Sequence, residues 1–210
     1  MSIGKNIYFF LVVVILSFSL SAENNSLKVL DVEVYFLKNS NWSQDLVQEK
    51  MNEAALIMEE CGIEVNIVNS SAEVDYSQDG SIGLLTSRYV EEFHEEETRL
   101  HSLIGAKVED HILRVFFVGR VNNLVSIFGS SRRAEINGGE IYENATYVTN
   151  QIRTEDADLT IAHEMGHVLL NEGHYHLDPT PNIMHYQFPH QIRQFNSSQC
   201  RKMRSSSLVK

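Results

Sequence analysis

Apolar and polar residues alternate along several short stretches of the chain, a pattern that predicts strands with one buried face. Residues 29–37 (Val-Leu-Asp-Val-Glu-Val-Tyr-Phe-Leu) show the alternation most clearly. The continuous apolar run 115–118 fits a strand at the centre of a sheet, and a Gly-rich turn within 124–139 indicates an edge strand with a loop. We therefore predict strands at residues 29–37, 63–68, 112–121 and 145–152, besides the edge strand.

Apolar residues recur at helical spacing in other segments. Ser43 is suited to cap a helix that runs to about residue 61, where Gly62 supplies the stop. Residues 84–103 predict a second long helix with an acidic face. This order of elements predicts an α+β domain in which two long helices pack on a twisted mixed sheet.

The N-terminus has the three parts of a secretory signal peptide. Lys5 supplies a positive charge, residues 7–16 are apolar, and residues 17–22 are small enough for cleavage near Ala22. The apolar run is short for a membrane span. We expect residues 1–22 to be removed and residues 23–210 to form one domain, secreted to the extracellular space or the periplasm, without stable membrane association. An uncleaved N-terminal anchor is the alternative.

Acidic residues outnumber basic ones. Lys5 is the one charged residue of the leader, so the mature chain keeps 16 Lys and Arg against 28 Asp and Glu, a net charge of −12. Nucleic acids and anionic membranes bind basic surfaces, and we therefore expect neither as a partner.

The two cysteines, Cys61 and Cys200, form an even pair in a chain with an export signal. We expect a disulfide between them in an oxidising compartment, with two buried free thiols as the alternative.

A further helix, opened by Asp156 and Asp158 at the end where negative charge is favoured, carries a chemical motif. His163 and His167 stand four residues apart, so their imidazoles leave one face of the helix and can bind a zinc ion. Glu164 follows the first histidine, where it can take a proton from a metal-activated water. The apolar flanks predict a buried helix. The alternative is a pair of histidines that are hydrogen-bonded in a core beside an incidental glutamate. It is disfavoured because the buried polar groups would then need other partners.

A catalytic zinc keeps three protein ligands and one open position, so a third ligand is expected. Thermolysin-like peptidases take it from a downstream glutamate, but no glutamate follows Glu172 in this chain. The remaining candidates are His174, His176 and, behind them, Asp178.

Residues 162–186, AHEMGHVLLNEGHYHLDPTPNIMHY, resemble the active site of the metzincins, zinc peptidases with the motif H-E-x-x-H-x-x-G-x-x-H and a Met-turn. The resemblance implies a zincin fold with a catalytic helix, a Met-turn and a C-terminal helix, and Zn²⁺ as the cofactor. It places Met184 in the turn that packs beneath the ligands. It also makes Tyr186 a candidate to stabilise an oxyanion, with a packed aromatic as the alternative.

The chain departs from this family at the glycine. The family's glycine stands three residues after the second histidine, where this chain has Leu170, and the family's third-ligand position is Gly173 here. A three-residue insertion restores the order, with a helix nearly one turn longer followed by Gly173-His174-Tyr175-His176. Because such a helix carries the chain about 4.5 Å further from the metal, we prefer His176 as the third ligand and keep His174 as the alternative.

Two functions fit these residues. The first is a secreted, monomeric zinc endopeptidase in which a metal-activated water attacks a peptide bond, Glu164 acts as general base, and a protein or peptide substrate lies along the sheet edge. The second is a secreted binding module that keeps this fold and zinc but has no turnover. The intact Glu164 favours the enzyme.

The other histidines are expected at the surface or in turns: His94, His101, His111, His185 and His190.

Overall fold

The computed structural model describes residues 26–69, 71–82, 98–106, 112–120, 129–132, 136–137, 140–141, 144–150, 154–171, 182–184 and 192–210. The predicted signal peptide, residues 1–22, lies outside these ranges. Within them, no helix is long and apolar enough to cross a bilayer.

Most of the strands form one mixed sheet. The strands are β1 (Lys28–Leu37), β2 (Ile63–Ile67), β3 (Ala72–Val74), β4 (Leu113–Val118), β5 (Gly129–Arg132), β6 (Ile136–Asn137), β7 (Glu140–Ile141) and β8 (Ala145–Thr149). The sheet order is β2-β1-β4-β8-β5, with β3 also paired to β1, while β6 and β7 pair with each other. All pairings in the large sheet are parallel except that of β5 with β8. The predicted mixed sheet is therefore confirmed, and β5 is its antiparallel edge strand.

Four α-helices occur in the described part of the chain: α1 (Gln44–Glu59), α2 (98–103), α3 (Ala157–Leu170) and α4 (Ser197–Arg204). A short 3-10 helix, Thr154–Asp156, directly precedes α3. Ser43 caps α1 as predicted, because its hydroxyl oxygen accepts a hydrogen bond from the Leu46 amide at 3.3 Å. Gly62 follows the end of α1 with φ of 71°, a left-handed conformation that glycine adopts without steric cost. The described end of the predicted acidic helix, residues 98–103, is helical.

The sheet buries both of its faces. Val32 and Val34 of β1 share one hydrophobic core with residues of α1 and α3, whereas Tyr35 and Leu37 belong to a second core on the other face. All six residues of β4 are buried, as expected of a strand with neighbours on both sides. The apolar run at residues 115–118 had predicted this central position.

Two short strands, β2 and β3, share one edge of β1. The sequence pattern predicted β2 at residues 63–68 but did not predict β3. β2 pairs with the first half of β1 and β3 with its last three residues. Between them, the Asn69 side chain accepts a hydrogen bond from the Val34 amide at 2.8 Å and donates one to the Val34 carbonyl at 2.9 Å. An amide side chain thus takes the place of a strand residue. β3 has only three residues, too few for alternation to reveal it.

A disulfide joins Cys61 and Cys200, whose Cα atoms lie 4.8 Å apart and whose positions are separated by 139 residues. It ties the turn after α1 to the middle of α4. Of the two states that the sequence left open, the structure has the bridged one. A crosslink over so long a loop restricts the unfolded chain strongly.

His101 is buried on the face of the sheet opposite α1, so the expectation of a surface or turn position was wrong. It is 3% exposed, and its ring meets the Phe116 ring edge-on with centroids 5.2 Å apart. The reason is that α2 lays an apolar side, including Leu100, on this second core. Burial, and then the positive charge of Arg114, lower the pKa of His101 to about 3. The other four histidines expected at the surface lie outside the described residues.

This buried histidine predicts acid sensitivity. The pKa of His101 is about 3 in the folded protein, against 6.5 for an ordinary histidine, so below pH 6.5 the unfolded chain binds a proton that the folded chain does not bind. His101 therefore costs no stability well above pH 6.5, and it lowers the free energy of unfolding increasingly as the pH drops toward 3. Between pH 7 and pH 5 we expect the free energy of unfolding to fall by about 2 kcal/mol more in the wild type than in a His101→Leu variant. Urea unfolding at both pH values measures the difference, and parallel losses in the two proteins would contradict it.

Candidate metal centre

Helix α3 passes through the interior of the protein. It packs against the sheet strands β5 and β8 and against the helices α1 and α4. Every residue from Ala157 to Leu170 is buried except His167, which is partly exposed. The apolar flanks of the motif explain the burial. The one side chain of this helix that solvent reaches more freely is therefore a histidine of the motif.

The two motif histidines face each other across one helical turn. The Nε2 atoms of His163 and His167 are 3.0 Å apart, and their rings are nearly perpendicular with centroids 4.5 Å apart. His163 is 3% exposed. Its other ring nitrogen, Nδ1, lies 2.7 Å from the carbonyl oxygen of Ile183.

That carbonyl decides which nitrogen of His163 carries the proton and which can present a lone pair to a cation. A carbonyl oxygen only accepts hydrogen bonds, so Nδ1 carries the proton and Nε2 presents its lone pair toward His167. A zinc site uses the same arrangement, with the second nitrogen of a ligating histidine bonded to a carbonyl or carboxylate.

The spacing of the nitrogens also fits zinc. Tetrahedral coordination at about 2.0–2.1 Å from each nitrogen holds two ligands about 3.3 Å apart. The Nε2 atoms of His163 and His167 lie within a few tenths of an ångström of that separation, at 3.0 Å. Glu164, the next residue after His163, is 7% exposed and so lies in the same water-poor interior.

A short turn supports the histidine pair from below. Residues 182–184 form this turn, and all three are buried. The Met184 amide donates to the Asn182 side-chain oxygen at 2.9 Å, which closes the turn and leaves the Ile183 carbonyl to His163. Met184 is fully buried, and it packs on the helix at Gly166, where a Cβ atom would stand 2.7 Å from the methionine sulfur. The turn containing Met184 therefore packs against the motif helix.

The end of α3 differs from the expected one. The helix stops at Leu170, and Asn171 caps it in a left-handed conformation, with φ of 53° and ψ of 43°. The prediction of a helix that continues nearly one turn further toward Gly173 was wrong. Asparagine is one of the few residues besides glycine that tolerates this conformation at a helix end. Without the extra helical turn, the length of chain after the helix no longer favours His176 over His174 as the third ligand.

An ion pair between an exposed arginine and a buried aspartate ties the chain after the turn to the start of α3. Asp158 is 0% exposed, and its carboxylate accepts a hydrogen bond from the Arg193 guanidinium. The sequence had offered Asp158 as a charge at the helix N-terminus. Its partner stands 35 positions away, so no local pattern could have named Arg193.

The remaining predicted site residues lie outside the described part of the chain: His174, His176, Asp178 and Tyr186. Among the residues that are described, no group of three or more His, Cys, Asp or Glu side chains could hold a metal. The structure thus brings together His163, His167 and the turn of Met184. It also shows contacts of Gly166, Asn182 and Arg193, to which the sequence had given no individual role.

Comparison with known proteins bears on the fold. No protein-family model and no curated protein matches the sequence. Among solved structures, the chain is similar to metalloproteinase-II from Bacteroides fragilis, with a TM-score of 0.56 and 16% identity over 85% of this chain. The match covers 53% of that protein, so this chain spans about half of its length. The likeness shows that the chain has a metalloproteinase-like fold.

The packing at Gly166 reverses the usual effect of a helical glycine. Gly→Ala inside a helix ordinarily stabilises by about 0.5–1 kcal/mol. Here the added Cβ would lie 2.7 Å from the Met184 sulfur and 2.8 Å from the Phe195 ring. We expect Gly166→Ala to destabilise the protein by about 1–3 kcal/mol, and adding Met184→Ala should reduce the specific penalty. Urea unfolding of the single and double variants gives the coupling; a stabilised Gly166→Ala protein would contradict the packing.

Proposed function

We propose that this protein is a secreted zinc endopeptidase of the metzincin type. The observation that carries the proposal is the pair of Nε2 atoms 3.0 Å apart on a buried helix, with Nδ1 of His163 held by the Ile183 carbonyl. Such a pair either shares a proton or presents two lone pairs to a cation, and the motif Glu164 between them favours the cation. The metalloproteinase-like fold supports the same reading.

Zinc fits the donor set of His163 and His167, and when bound it supplies a Lewis acid that lowers the pKa of water to about 7. Glu164 accepts the proton of the attacking water as its oxygen bonds to the carbonyl carbon of the peptide. The protonated Glu164 then gives that proton to the amine nitrogen as the C–N bond breaks. The low exposure of Glu164, 7%, supports this role, because charges interact strongly where solvent is scarce.

The third ligand is proposed from the sequence downstream of α3. With the helix ending at Leu170, the chain has four residues to His174 and six to His176 in which to turn back. Both are within reach of such a return, so His176 and His174 stand as alternatives. Tyr186, two residues after Met184, is proposed to stabilise the oxyanion by resemblance to the family.

A protein or peptide is the proposed substrate. β5 is the last strand in the sheet order, runs antiparallel to β8, and packs against α3. An extended peptide can add to such an edge by backbone hydrogen bonds, which brings its bonds alongside the motif helix. The net charge of −12 after removal of the leader argues against nucleic acid as a partner.

Secretion is proposed from the leader-like N-terminus and from the disulfide. Residues 1–22 have the signal-peptide pattern, and the bond between Cys61 and Cys200 requires an oxidising compartment to persist. We propose a monomer in that compartment.

Zinc content and cleavage, measured on the same exported proteins, separate binding from catalysis. We expect about one zinc per wild-type chain, cleavage of casein or a peptide library, and loss of both in His163→Ala. Glu164→Gln should keep zinc while cleavage falls by about 10²-fold or more, because the proton acceptor is gone. The zinc-loaded Glu164→Gln protein is the matched control for the fold of the site.

Two results decide between the candidate functions. Equal cleavage by wild type and Glu164→Gln would contradict the peptidase. Bound zinc without cleavage of any peptide in a broad library would favour the binding module instead. His174→Ala and His176→Ala, measured beside them, identify the third ligand as the one whose loss abolishes zinc binding.

A further inference from the structure

The turn beneath His163 is held by the C-terminal helix. Gln199 of α4 donates a hydrogen bond from Nε2 to the Asn182 side-chain oxygen at 3.0 Å. The same oxygen accepts the Met184 amide at 2.9 Å. Asn182 and Gln199 are 2% and 3% exposed, so this bond lies in the interior, where an unmade bond is costly. One oxygen atom therefore joins the start of α4 to the turn.

The other half of the Gln199 side chain is fixed as well. Its Oε1 accepts the Asn196 amide at 2.8 Å, while the Gln199 amide donates to the Asn196 side-chain oxygen at 2.9 Å. These two bonds form a capping box at the start of α4. With Oε1 used by the cap, Nε2 points at Asn182 in a single orientation. The next residue, Cys200, is anchored to Cys61 by the disulfide.

The Ile183 amide completes the support by donating to the Gln194 carbonyl at 3.0 Å. The peptide units on both sides of Ile183 are thus fixed, and the Ile183 carbonyl is directed at His163 Nδ1, 2.7 Å away. Rotating this turn would remove the acceptor that keeps the proton on Nδ1 and the lone pair on Nε2.

We propose that Gln199 and Asn182 are positioning residues for the metal centre, acting through the Ile183 carbonyl on His163; this rests on the zinc site proposed above. Neither side chain is a metal ligand in this proposal. Their amides set the orientation and tautomer of a ligand from the far side of the turn. Outer partners of zinc-binding histidines commonly contribute about 10–100-fold to metal affinity.

Gln199→Met tests the link, because methionine keeps the length and helix propensity of the side chain but cannot donate to Asn182. It also removes one bond of the capping box, from the Asn196 amide to Gln199 Oε1. Asn196→Ala is the matched control, because it removes the second bond of the capping box, from the Gln199 amide to the Asn196 side chain, and keeps the bond from Gln199 to Asn182. Asn182→Ala removes the acceptor from the opposite side and gives a second variant should Gln199→Met fail to fold. All are made in the full-length exported chain.

Two measurements separate positioning from general stability. Zinc affinity is measured by competition with a chromogenic chelator, and ligand geometry by the visible spectrum of the Co²⁺-loaded protein. We expect Gln199→Met and Asn182→Ala to bind zinc at least about tenfold more weakly and to shift the Co²⁺ bands. Asn196→Ala should lower the thermal midpoint yet leave both metal readouts at the wild-type values.

The outcomes are distinct. Wild-type zinc affinity in both Gln199→Met and Asn182→Ala would overturn the positioning role while leaving the peptidase intact. Equal weakening in Asn196→Ala would overturn it too, since any loss of α4 stability would then suffice. A wild-type protein that binds neither zinc nor Co²⁺ would instead overturn the proposed function itself.

Discussion

The hydrogen bond between His163 and the Ile183 carbonyl is the contact on which the candidate site depends. At 2.7 Å it keeps the proton on Nδ1 and turns the lone pair of Nε2 toward His167. Without it, either nitrogen could carry the proton, and the two Nε2 atoms 3.0 Å apart would have no reason to face each other as donors to a cation. The helix sets the distance between the two histidines, and the turn sets the direction of the His163 lone pair.

Parts of the chain that are distant in sequence converge to support this contact. Met184 and Phe195 pack on the space left by Gly166, which lets the turn approach α3 closely. Arg193 is bonded to the buried Asp158 at the start of the same helix. The disulfide between Cys61 and Cys200 joins α4 to the turn that follows α1. The contacts that support the site therefore come from residues near the C-terminus, which pack on α3 and are joined by the disulfide to the turn after α1.

Local patterns predicted what depends on local chemistry. Alternation located β1 to within a residue, the apolar run 115–118 predicted the central strand, and Ser43 was identified as a cap because capping involves a neighbour three residues away. The spacing of His163 and His167 also needs only the period of the helix. These features could be predicted because the residues that interact lie close together in the sequence.

Three features were missed, one of them local. Asn171 ends α3 two residues before Gly173, the expected stop, because an asparagine can also take the left-handed conformation. The other two depend on distant partners. His101 sits in an acidic stretch of sequence, yet tertiary packing buries it beside Phe116. The bond from Gln199 to Asn182 spans 17 positions and joins two common amide side chains. No periodicity or sequence motif predicts such a hydrogen bond.

Zinc binding by the histidine pair can be measured by anomalous scattering at the zinc absorption edge, from crystals of the exported protein grown with zinc. We expect an anomalous density peak between Nε2 of His163 and Nε2 of His167, at about 2.0–2.1 Å from each. A peak at another place, or none at this pair in zinc-soaked crystals, would contradict the metal centre and the function inferred from it.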